Sequence, residues 1–142
     1  MTIRGLEVQF RPEHTEIPAR LDSEDDVDAF IDALLSGQHD RSCAVVYSLD
    51  RPMMPSGYWD HELSVGVDRV AQVGALTLAV DDGYVSKGQM DRGIGEYTLL
   101  GHVREFMPGS EIPIDLVREA VKEFLVSGGQ IPMCIEWQTE EF

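Results

Sequence analysis

The stretch Leu63–Val85, LSVGVDRVAQVGALTLAVDDGYV, decides the fold class. Leu63, Val65 and Val67 alternate with their neighbours, and Leu76, Leu78 and Val80 repeat the period. A period of two places every second side chain on one face of a strand. Asp82-Gly83 suits a tight turn that leads into a further strand at Tyr84 and Val85. The strands follow one another without a crossover helix, so they read as a meander. Working outward, Cys43–Leu49 is a compact apolar run, and Leu6, Val8 and Phe10 alternate near the N-terminus. Downstream, strands are expected over Tyr97–Val103 and over Pro132–Trp137.

Two helices complete the pattern. Val27, Phe30, Ile31, Leu34 and Leu35 share one face at helical spacing, with Ser23 and Asp26 arranged as a capping box and Gly37 at the stop. The second helix opens near Pro113, carries Val117, Ala120, Val121, Phe124 and Leu125 on one face, and ends at Gly128-Gly129. Asp115 with Arg118, and Glu119 with Lys122, form pairs of opposite sign three residues apart. The expected fold is α+β: residues 1–142 as a single domain, with a mainly antiparallel sheet of five to six strands and two main helices covering one face.

Composition bounds the function. Eleven Lys and Arg stand against 26 Asp and Glu among 142 residues, a net charge of −15. A surface of that sign repels nucleic acid and anionic membranes, so neither is expected as a direct partner, and it leaves open a basic protein partner. No apolar run approaches membrane-spanning length and the N-terminus lacks a signal-peptide core, so a cytoplasmic location is expected. Cys43 and Cys134 make no disulfide framework; both sit among apolar residues and read as buried thiols.

Chemistry leaves little trace. His14, His39, His61 and His102 are scattered, and no zinc or calcium spacing appears, so no metal and no cofactor are expected. Gly93-Ile94-Gly95 follows a loop and precedes a strand, which is the wrong setting for a dinucleotide fingerprint. No Ser or Cys sits in a nucleophile elbow, so no catalytic residue is assigned. Between Leu21 and Asp40 there are seven acids and no Lys or Arg. Those nearest the helix start favour its dipole. Asp28 and Asp32 read as solvent-facing like charges, either a solvated helix face or a negative surface that speeds encounter with a basic partner. Glu140 and Glu141 extend the sign at the tail.

Two loops are long enough to bind something: Asp50–Asp60 (DRPMMPSGYWD) and Ser86–Gly95 (SKGQMDRGIG). Tyr58 and Trp59 are either a lid folded on the core or interface anchors. With Asp60, Asp81, Asp82, Tyr84, Lys87, Met90 and Asp91 they make up the candidate partner-binding residues. Trp137, beside Ile135, reads as core or edge packing.

The run PGSEIPIDLVREAVKEFLVSGGQIPMCIEWQ, Pro108–Gln138, resembles the C-terminal part of the first-described Imm family of bacterial immunity proteins. Pro113, Ala120, Glu123-Phe124, Gly128, Pro132 and Trp137 carry the likeness, and GALTLAVDDGYVSKG (Gly74–Gly88) is similar to the family's middle hairpin. The resemblance implies a non-enzymatic protein that neutralises the toxic domain of a polymorphic toxin, typically a nucleic-acid deaminase such as a cytosine deaminase. Such a toxin would be basic, and blockade of its active site would need no chemistry from the inhibitor. Two readings from other classes stand beside it: a small enzyme using two carboxylates, and an acidic nucleic-acid mimic that inhibits a DNA-binding protein.

Overall fold

The computed structural model describes residues 4–37, 42–80 and 82–139. The alternating stretch becomes the middle of an antiparallel sheet, with β4 (His61–Asp68) paired along its whole length to β5 (Val73–Val80). On one side of this pair lie β3 (Cys43–Ser48), β1 (Leu6–Gln9) and β2 (Ala19–Leu21) in that order. On the other lie β6 (Asp82–Lys87) and β10 (Glu136–Thr139). The two-residue β9 (Ile112–Pro113) pairs with β5 at Val73 and Gly74, beyond the part of β5 that β6 covers. A separate hairpin is made by β7 (Gly95–Leu99) and β8 (His102–Phe106). The helices are α1 (Glu24–Leu35) and α2 (Ile114–Val126), and a 3-10 turn spans Pro12–Thr15.

The α+β class and the antiparallel sheet are as expected, but among the described residues the main sheet holds eight strands. Alternation divides it into two faces. Leu6, Val8, Val46, Leu63, Val65, Leu76 and Leu78 meet the apolar stripes of α1 and α2, and this layer is the main core. Cys43, Val45, Ala75 and Val85 point the other way and are covered by Tyr97, Leu99 and Phe106 of the β7–β8 hairpin. Covered on both faces, β3 and β4 are buried nearly end to end, which is why Cys43–Ser48 reads as a continuous apolar run. Gly66 shows how closely the hairpin sits: a Cβ there would lie 2.5 Å from the Tyr97 ring.

Several local expectations change. Tyr97–Val103 is a hairpin rather than one strand, reversing at Leu100 and Gly101, both in the left-handed region. Asp82 and Gly83 already belong to β6, opposite Val80 and Ala79, because the pairing continues to the strand end. Ser86 and Lys87 are also in β6, so the second loop starts at Gly88. The last strand is shifted to Glu136–Thr139; the chain bends before it, where the Glu123 carboxylate accepts the Met133 and Cys134 N–H groups. Cys43 is buried as expected, but that bend leaves Cys134 exposed. The Ser23 Oγ caps α1 by accepting the Asp26 N–H at 3.1 Å, while the Asp26 carboxylate reaches back to the Asp22 N–H at 2.9 Å.

Asp28 and Asp32 are not simply solvent-facing. Arg118 of α2 reaches both, and Lys122 pairs with Asp28 at 2.9 Å. The basic side chains of α2 therefore take their partners from α1, not from Asp115 and Glu119 on their own helix. No described helix is long and apolar enough to cross a membrane.

Candidate functional site

The first loop is a small rigid hairpin. Met53 and Trp59 form a β-bridge, the Met54 N–H donates to the Tyr58 carbonyl at 2.8 Å, and the Gly57 N–H donates to the Met54 carbonyl at 2.9 Å. Gly57 supplies the positive φ of 88° at the tip. At the base, Arg51 donates from Nε and Nη2 to the two oxygens of Asp60, both at 3.0 Å, and from Nη1 to the Gly129 carbonyl at 3.1 Å. Gly129 follows the end of α2 at a positive φ of 87°, and it must be glycine for a second reason: a Cβ there would lie 2.7 Å from Arg51 Cδ and from Ser48 Cβ. The Arg51 fork holds the Asp60 carboxyl below its ordinary value.

His61 underlies the same base. Its Nε2 accepts the Ser48 N–H at 2.8 Å, which leaves Nδ1 as the donor to Asp60 at 2.8 Å. That arrangement needs the neutral ring, and burial lowers the His61 pKa against the opposing pull of Asp60. Trp59 stacks on Tyr47, with centroids 5.5 Å apart and planes 13° from parallel, and meets the His61 ring edge-on. Burial, with Glu62 beside it, pushes the Tyr47 hydroxyl up to about 12. Trp59 is thus half-buried, whereas Tyr58 is 73% exposed, Met53 52% and Met54 44%.

The expected binding residues fall into two groups. Trp59 and Asp60 join Asp82, at the start of β6, along a shallow groove of about 360 Å³ that also takes in Glu62 and Ala79. Lys87, the last residue of β6, and Met90 just past it lie at the strand's other end, against an apolar recess of about 380 Å³ floored by Ile112, Leu116 and Ile135. Six residues at roughly 3.3 Å each separate the two groups by about the length of the strand. Tyr84 is half-buried between them, opposite Leu78. Asp91 is exposed and accepts the Gly93 N–H at 2.8 Å. Asp81, like His39, Asp40, Glu140 and Glu141, lies outside the described residues. Trp137 packs partly against the main core, its Nε1 donating to the Pro132 carbonyl at 2.7 Å.

Sequence reading missed a third feature. Arg92 donates to both oxygens of the buried Glu111, at 2.8 and 2.7 Å, and to Asp68 at 2.9 Å; the Tyr97 hydroxyl donates to the same Glu111. These four side chains line a cleft of about 450 Å³ between the hairpin and the end of α1. The Arg92 guanidinium holds the Glu111 carboxyl below its ordinary value, and burial together with Glu111 raises the Tyr97 hydroxyl. A carboxylate held ionised with its oxygens engaged is suited to fixing structure rather than to moving a proton. The members come from four segments with no motif spacing, so no local pattern announces them.

Among the described residues no three His, Cys, Asp or Glu side chains are grouped to hold a metal ion. Burial pushes the Cys43 thiol up to about 12. No curated protein matches the chain at a significant level. A family model described as immunity protein Imm1 matches residues 15–139, from the end of the 3-10 turn to the end of β10, with both helices and both loops inside the match. On that coverage the chain belongs to the Imm1 immunity protein family.

Proposed function

We propose that this chain acts in the cytoplasm as a single-domain, non-catalytic inhibitor of a basic, nucleic-acid-acting toxin domain, a cytosine deaminase being the favoured class, and that it works by covering the toxin's active site. The surplus negative charge carries the reading. Arg20, Arg51, Arg92, Arg104, Arg118 and Lys122 are all engaged by carboxylates within the fold. The net of −15 already counts all 11 Lys and Arg, so the molecule presents a negative surface. An enzyme that grips a polyanion needs a basic channel at its active site, and such a channel attracts this surface.

The test is co-purification with the toxin domain encoded beside this chain, followed by size-exclusion chromatography at about 0.1 M and about 1 M salt. A complex that weakens with salt and no longer deaminates cytosine supports the proposal. A toxin that keeps its activity within the complex overturns active-site coverage. A stable complex with a toxin that never deaminates keeps immunity and replaces the substrate class.

A further inference from the structure

The loop Arg51–Asp60 has the build of a plug. Its tip, Pro52–Trp59 (PMMPSGYW), carries no charged residue in a chain with 26 acids. Met53, Met54 and Tyr58 are exposed together on it, while the bridge between Met53 and Trp59 and the turn at Gly57 fix their relative positions. A Cβ added at Gly57 would meet nothing within 4 Å, so the tip stands clear of the body. The base is closed by the Arg51–Asp60 fork and anchored by Gly129 and His61, and the inner face of Trp59 rests on Tyr47. A loop backbone fixed before contact loses little conformational entropy on binding, and Tyr adds a large contact area with few torsions, which is the property of an affinity anchor.

Resting on the inhibitor reading above, we infer that this loop is the insertion element: Met53, Met54 and Tyr58 enter a concave site on the toxin with apolar or aromatic walls, while the surrounding carboxylates meet a basic rim. The two parts have different physical signatures. Charge speeds encounter and is screened by salt, whereas apolar insertion slows dissociation and is not. The partner is therefore a cleft, not a flat surface, and the recess near Lys87 and Met90 lies outside the contact.

The experiment compares the wild-type chain with Tyr58→Ala, with Met53→Ala/Met54→Ala, and with Met90→Ala, measuring association and dissociation rates with the toxin domain at about 0.1 M and about 1 M salt. The truncated side chains are largely exposed, so the fold is unaffected, and circular dichroism checks this. Expected is an affinity loss of about 30-fold or more for each loop variant. That loss should lie in the dissociation rate and keep the same ratio at both salt concentrations, with Met90→Ala unchanged. Loop variants that bind like wild type, or a loss carried by Met90→Ala instead, overturn the insertion element alone. A wild-type chain that fails to bind the toxin domain overturns the inhibitor reading and this one together.

Discussion

Each of the two loops is organised by one arginine, and the arginines do opposite things. Arg51 pairs with Asp60 at the far end of its own loop, so the segment is closed on itself and its tip is free to project. Arg92 pairs with Glu111 and Asp68, which belong to other segments, so it straps the Gly88–Ile94 loop down onto the body. The same fork of donors makes a protrusion in one place and a tie in the other. What differs is whether the carboxylate lies within the loop or outside it. The first tip offers Met53, Met54 and Tyr58 to solvent; the second loop also exposes Met90 and Ile94, but its guanidinium is tied to a buried Glu111 beside the Tyr97 hydroxyl.

Breaking the strap should cost most. Glu111→Ala removes an acceptor of Arg92, which keeps Asp68, and leaves the buried Tyr97 hydroxyl without a partner. The expected loss is roughly 3 kcal/mol, read as a fall in melting temperature of roughly 10 °C in a domain of this size. A change within 2 °C or so, about what a surface substitution gives, would show that the strap is ornamental to the fold. Breaking the self-closed loop should cost less, because Arg51 and Asp60 are both partly solvated. Arg51→Ala is expected to lower stability by about 1 kcal/mol. Its signature is local: hydrogen exchange at the Met54 and Gly57 amides should quicken, while that at Gly88, bonded to the Gly109 carbonyl at 2.7 Å, should not. Equal acceleration in both loops would deny that the two are separately organised.

The sequence makes the parts of this comparison visible but not their arrangement. Apolar periodicity is a local signal, and it suffices for α1, α2 and the strands from Cys43 to Val85. It fails where structure depends on a short-range reversal inside an apolar run, as at Leu100-Gly101, or on two residues borrowed by a neighbour, as at Ile112–Pro113. It fails again where charges choose partners at a distance. Arg118 has Asp115 three residues away, yet it binds Asp28, 90 residues earlier, because helix packing brings α1 alongside. Trp59, Lys87 and Met90 stand out in the sequence, but only the direction of β6 reveals that they lie at its opposite ends. The Glu111 cluster joins segments 14 to 24 residues apart and has no spacing to recognise.

The smallest and most selective way to separate the loops is pH. His61 is neutral in the fold: burial lowers its pKa from an ordinary 6.5, and a proton on Nε2 would face the Ser48 N–H, donor against donor. The unfolded chain therefore binds more protons than the folded one below about pH 6.5, so stability from this site is full above that value and falls as pH drops through it. His14 has the same sign, because burial lowers its pKa and its Nδ1 accepts the Phe10 and Arg11 N–H groups, both at 3.2 Å. Glu111 also has a lowered pKa, but from an ordinary 4.5, so the strap keeps its contribution until pH falls below about that value. Between about pH 6.5 and pH 5 the base of the projecting loop should loosen while the strap holds. Amide protection at Met54 and Gly57, corrected for the intrinsic exchange rate, should drop over that interval and protection at Gly88 should stay level. If both fall together, the transition belongs to the whole molecule and His61 is no more than one of its buried groups. If neither moves, the ring carries its proton without cost, and the base of the first loop is held by the Arg51–Asp60 fork alone.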